Sequence, residues 1–122
     1  MTRGTIVSES IRVGAEISGV ADLTLVGLRR IAVTSASPDQ PGRWTLIDFE
    51  APDTAAGPLA EAFAAALDRP GWYVDLDTAA DKYVVFAGRV FKYARGDASG
   101  RAEAQAYALE LGVPAAQIDW PE

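Results

Sequence analysis

Ile11, Val13, Ala15 and Ile17 alternate with Arg12, Gly14 and Glu16, the two-residue period of a strand with one buried face, and Gly19 closes the run. Leu23 to Val33 is rich in Leu, Val and Ile and predicts a second strand, with a bulge or change of face where Arg29 and Arg30 stand side by side. Pro38, Asp39, Pro41 and Gly42 mark Ser35 to Gly42 as loop. Alternation returns from Trp44 to Glu50, with Thr45, Ile47 and Phe49 on one side and Leu46, Asp48 and Glu50 on the other. Three strands joined by connections this short predict an antiparallel meander.

The period then changes. Leu59, Phe63, Ala66 and Leu67 fall at i, i+4, i+7 and i+8, one stripe of a helix over Pro58 to Leu67, with the proline in its first turn and Arg69, Pro70 and Gly71 beyond its end. Trp72, Val74 and Leu76 next alternate with Tyr73, Asp75 and Asp77, and Tyr83 to Phe86 and Val90 to Tyr93 flank an Ala87-Gly88 turn, a second meander. A last helix, about Ser99 to Leu111, places Ala104, Tyr107, Ala108 and Leu111 on one side. Asp97 or Ser99 suits its N-cap, and Gly112 and Pro114 suit its end. Ile118, Asp119 and Trp120 are expected to pair as a short strand or to tuck the indole under that helix. The expectation for residues 1–122 is a single α+β domain, a mostly antiparallel sheet of two meanders with both helices packed on one face. The two halves repeat this order of elements but share no residue pattern, so no internal duplication is read.

Composition removes much chemistry. With no histidine and no cysteine, the chain has no thiolate nucleophile, no Ser-His triad and no Cys/His zinc site. Neither Ser-x-x-Lys nor Gly-x-Ser-x-Gly occurs, so acyl transfer is excluded and the chain points away from an enzyme. A formal charge of -6 argues against general nucleic-acid binding, which relies on Lys and Arg neutralising phosphates. Apolar runs such as Phe63 to Leu67 are too short to span a bilayer, and Met1 to Ser10 has no apolar leader. The expectation is a cytoplasmic protein with no membrane segment and no cofactor, for which a homo-oligomer is open.

Four groupings invite chemistry. Asp75, Asp77 and Asp81 offer oxygen ligands for Ca²⁺ or Mg²⁺, but Ala80 stands where a calcium loop needs glycine and Phe86 where it needs glutamate, so these read as solvent-facing carboxylates and the chain as metal-free. Asp48, Glu50, Asp75 and Asp77 contain the makings of an acid/base pair, though nothing in their spacing sets a separation. Arg95 to Arg101 is a glycine-containing loop before a helix, a place for an anion. It lacks the phosphate-loop lysine and carries Asp97, so a helix cap is the simpler reading, and its Arg-Gly-Asp triplet is chance. Lys82, Arg89, Lys92, Arg95 and Arg101 interleave with Tyr83, Phe86, Phe91 and Tyr93. That mixture suits a single nucleic-acid strand or, with the acidic total, core aromatics beside edge-strand charges.

The helix through Ala102 to Leu111, then Gly112-Val113-Pro114 and a closing Ile118-Asp119-Trp120, resembles the C-terminal part of some small acidic immunity proteins of bacterial toxin systems, over about a quarter of the chain and resting on Pro114 and Trp120. An uncharacterised small bacterial family describes it equally. The resemblance implies a non-catalytic protein that blocks a toxin by binding it. The residues themselves give the same class: a macromolecule-binding domain whose Tyr73, Asp75 and Asp77, on one strand face, mix an aromatic with charge and suit a basic protein partner. The alternative is a small-molecule-binding protein or a small carboxylate-dependent enzyme with a pocket between sheet and helices.

Overall fold

The computed structural model describes residues 1–118 apart from Ala21, Ser35, Ser37, Asp39 and Pro70. Asp119 and Trp120, expected to pair or tuck, lie outside the described residues. Six strands form a single sheet: β1 (Thr2–Val7), β2 (Thr24–Ala32), β3 (Arg43–Ala51), β4 (Tyr73–Asp77), β5 (Asp81–Phe86) and β6 (Arg89–Ala94). Their spatial order is β2-β3-β1-β4-β5-β6, and every neighbouring pair is antiparallel. Two helices, α1 (Ala56–Ala66) and α2 (Ala98–Glu110), complete an α+β architecture.

β1 joins the two hairpin systems, pairing with β3 on one side and β4 on the other. Its short alternation, Thr2-Arg3-Gly4-Thr5-Ile6-Val7, contains little apolar surface, and its central place rests on Gly4. A Cβ there would stand 2.6 Å from Phe49 Cζ and 2.9 Å from Leu76 Cδ2, so the bare backbone is the floor on which these two side chains meet.

The strand expected over Ile11 to Ile17 does not form. Gly14 takes φ 91°, which breaks an extended chain at its centre, and Val13 is 97 % exposed. Ile11 makes one bridge to Leu67, and Ile17, Val20 and Leu23 pack singly against the core, so the segment covers the sheet as an irregular strap. The bulge foreseen in β2 is real but sits at Val26, between Leu25 and Gly27; Arg29 and Arg30 simply alternate between faces.

The helices lie on opposite faces of the sheet, which corrects the expectation that both cover one. Val74, Leu76, Tyr83 and Val85 pack with Leu59 and Phe63 of α1, whereas Val84, Phe86 and Tyr93 pack with Ala104 and Ala108 of α2. Neighbouring residues of a strand point to opposite sides, so the unbroken apolar run Tyr83-Val84-Val85-Phe86 requires cover on both. The α1 stripe is as spaced: Leu59, Phe63, Ala66 and Leu67 are all buried, and Trp72 is buried just before β4 begins. At the start of α2, Asp97 Oδ1 accepts from the Ser99 and Gly100 backbone N–H groups, an ordinary cap that also accounts for the Arg95 to Arg101 loop.

Candidate functional site

α2 and the segment after it cover β4, β5 and β6 on their side, and the same face of β1, β3 and β2 stays open. Register places the side chains of this open face in rows across the strands. Glu50, Arg3, Asp77 and Lys82 form one row, and Asp48, Thr5, Asp75 and Val84 the next. Opposite charges alternate along the first row, the arrangement in which cross-strand neighbours attract, while the second places a threonine between two carboxylates.

Lys82 closes the first row. It is 3 % exposed, and its Nζ lies 2.7 Å from Asp75 Oδ2 and 2.9 Å from Asp77 Oδ1. Burial alone would lower the ammonium pKa; the two carboxylates outweigh it and hold the pKa above the usual lysine value. Asp48 is held in the second row. Thr5 Oγ1 donates to its Oδ1 at 2.6 Å, and Arg29 grips both oxygens, Nη2 to Oδ1 at 2.9 Å and Nε to Oδ2 at 3.1 Å. The Thr5 hydroxyl first, then the guanidinium, keep the Asp48 carboxyl below its ordinary pKa. Beside Lys82 across the strand pair stands Tyr93, whose buried hydroxyl has no hydrogen-bond partner among the described residues and whose pKa is raised by burial.

Two hollows follow this face. One, about 300 Å³, is lined by Arg3, Val26, Asp48, Glu50, Asp75 and Asp77. The other, about 150 Å³, is lined by Val7, Trp44, Trp72, Tyr73 and Gln117. Thr5 and Asp75 line both, so they are one strip with an acidic end and an aromatic end. The aromatic end is held by the Trp44 and Trp72 rings, 5.3 Å apart, and by the Trp44 indole N–H, which donates to Pro41 O at 2.9 Å.

The structure therefore brings Tyr73, Asp75 and Asp77 to one strip, each half-buried rather than freely exposed. The Tyr73 ring packs tilted against Phe86, centroids 6.2 Å apart, and its hydroxyl donates to the Gln117 carbonyl, which ties the 3-10 turn Ala115–Gln117 to β4. Asp81 does not join them. It projects to the α1 side, where Lys92 approaches it at 3.9 Å, while Lys82 takes the position between Asp75 and Asp77 that a cation would need. Among the described residues no three His, Cys, Asp or Glu side chains converge on a metal position. The basic stretch is divided as well. The Arg89 guanidinium lies 4.7 Å from the Phe91 ring and 5.0 Å from that of Tyr107, Lys92 lies 5.6 Å from that of Tyr83, and Arg95 Nη1 donates to Thr78 O.

Sequence reasoning missed Arg3, Thr5 and Trp44 as members of the site and took Lys82 for a surface charge. A signal existed for Lys82: it alternates with Val84 and Phe86 on a face that the hairpin turns toward two aspartates, and a cation in that company is buried only if paired. Among the described residues no helix is long and apolar enough to cross a membrane. No family model, no curated protein and no solved structure matches this chain.

Proposed function

We propose that the protein is a non-catalytic binding domain for a macromolecular partner, with the strip from Glu50 and Asp77 to Trp44 and Tyr73 as its contact surface. The observation that carries this reading is the junction at Thr5 and Asp75, where carboxylates and aromatic rings share one uncovered sheet face. Lysine or arginine side chains of a partner pair with carboxylates at one end and lie over ring faces at the other. The carboxylates here are spread in rows and engaged by Lys82, Arg29 and Arg3, an arrangement that supports charge recognition better than proton transfer. A basic protein is the partner this chemistry favours; the C-terminal resemblance to toxin-blocking proteins implies a protein partner.

The test uses variants that alter the strip and spare the core. Tyr73→Ala is unsuitable because the ring packs on Phe86, and Asp75→Asn because it loosens Lys82. Glu50→Lys with Asp77→Asn leaves Asp75 on Lys82. It should weaken a partner recovered by affinity capture about tenfold or more, some 1.4 kcal/mol or above, while the variant still unfolds cooperatively, its midpoint lowered modestly by the loss of one of the two carboxylates on Lys82 and of the Arg3–Glu50 pair. Equal affinity in the double variant would place the interface elsewhere.

A second reading rests on a different observation. An apolar cavity of about 220 Å³ lies between the sheet and the 11–23 strap, lined by Ile6, Ile11, Ile17, Leu23, Ile47 and Phe63. Such a lining suits a small apolar ligand. A rise in thermal midpoint with small hydrocarbons, abolished by Ile17→Trp, would support this reading over a filled core.

A further inference from the structure

We propose that β2 is a self-association edge, pairing antiparallel with β2 of a second copy of the chain about a two-fold axis at Leu28. β2 ends the sheet, and among the described residues no strand lies on its outer side. It runs nine residues without proline. Leu25, Val26 and Leu28 are 68 %, 54 % and 71 % exposed, apolar surface on both faces of an unpaired edge. Such an edge is a ready template for another strand.

The occupant is selected by register and charge. An antiparallel pair that continues a sheet keeps each residue opposite one on the same face, so a two-fold axis must pass through a residue opposite its own copy. Axes at Arg29 or Arg30 would place two guanidinium-bearing side chains directly opposite each other, which is destabilising. The axis at Leu28 places leucine on leucine and sets Arg29 opposite the second copy's Gly27. At that glycine the Asp48 carboxylate of the next strand reaches over the backbone. A Cβ on Gly27 would stand 2.7 Å from Asp48 Oδ2, so the oxygen occupies the space a side chain would fill. Each Arg29, which already grips its own Asp48, thereby meets the second copy's Asp48 across a bare backbone, twice per dimer. The seam is self-complementary in shape and in charge, which a strand of unrelated sequence is not. The partner strip proposed above is not required for this.

Because the chain has no cysteine, Leu28→Cys introduces its first thiol. Residues opposed in an antiparallel pair have Cα atoms about 4.5 or 5.5 Å apart, inside the roughly 4.4–6.8 Å window of a disulfide. Arg30→Cys in the same register puts the two thiols four positions apart, about 13 Å of strand. The expected result is rapid, near-complete disulfide dimer for Leu28→Cys and little for Arg30→Cys. Light scattering should give wild-type protein twice the chain mass as its concentration rises through the micromolar range. Arg29→Asp and Asp48→Arg should each weaken that dimer about tenfold or more, and an equimolar mixture of the two should restore it, because only across the seam are their charges complementary. A wild-type chain that stays at single mass, equal cross-linking at both positions, or a mixture that fails to recover would each overturn the proposal.

Discussion

β5 and β2 are both apolar strands of one sheet, yet Lys82 to Phe86 are all buried while the side chains of Leu25, Val26 and Leu28 are mostly in solvent. The difference is position. β5 lies between β4 and β6 with α1 on one face and α2 on the other, whereas among the described residues β2 has a strand on one side only and no helix over it. Apolar content made both strands; the order of strands decided which became core. A hydrophobic run thus identifies a strand without saying what it buries against, and the face of β1, β3 and β2 that α2 leaves open is where contact surface remains.

The contrast breaks first at Phe86. Its fully buried ring touches Tyr73, Phe91 and Tyr107, so Phe86→Ala should cost about 3–5 kcal/mol by chemical denaturation. A loss under about 1 kcal/mol would mean that the α2 side is not a packed core.

Lys82→Met tests whether the ion cluster belongs to that core. The substitution keeps the stem and leaves Asp75 and Asp77 facing each other without a cation. Complete burial of both partners would make the loss larger; with carboxylates a third or more exposed, about 1–3 kcal/mol is expected. Since the folded-state pKa of Lys82 lies above its ordinary value of 10.5, its contribution is present below that pH and disappears as pH rises through the folded value. The wild-type minus Lys82→Met difference in urea midpoint should therefore be flat from pH 6 to about 10.

Acid sharpens the comparison from the other half. Glu9 accepts from the Thr45 backbone N–H at 2.7 Å and from its hydroxyl at 2.9 Å, on the β3 strand beside the free edge. Burial works to raise the Glu9 carboxyl, but these bonds prevail and lower it, and Asp48 and Asp97 are lowered too. A carboxyl with a depressed folded-state pKa contributes stability fully above its unfolded value and loses it as pH falls through the folded one. Urea midpoints should decline below about pH 4.5, and Glu9→Gln should remove part of the slope.

The smallest effect belongs to β2. Leu28→Ser should change monomer stability by no more than about 0.5 kcal/mol, measured at a concentration low enough to exclude self-association. A large loss would show that this edge is packed within its own chain.

Much of this fold is legible in the chain. β2 through β6 and both helices lie within a few residues of where hydrophobic periodicity puts them, because their apolar positions face a core and alternate accordingly. β1 and the strap are the exceptions, and they exchange roles. Ile11 to Ile17 has strand periodicity but is interrupted by a glycine with positive φ, while Thr2 to Val7 has almost none and is held in the middle of the sheet by partners distant in sequence. Placing the helices on opposite faces was within reach from Tyr83 to Phe86, whose lack of alternation requires two covers. The site was half legible. Alternation correctly groups Tyr73, Asp75 and Asp77, but Arg3, Thr5, Asp48 and Trp44 join them through sheet register, which no local pattern specifies.

The chain carries two lysines, Lys82 and Lys92, and their situations make it a self-reporting amine substrate. Lys92 presents more than half of its side chain to solvent, whereas Lys82 is enclosed and kept protonated by two carboxylates, the state in which an amine is not nucleophilic. An acylating reagent near neutral pH should therefore modify Lys92 in the folded molecule and reach Lys82 only when β4 and β5 separate, so the ratio of the two adducts in a mass spectrum is a clock for opening of the doubly covered half of the sheet.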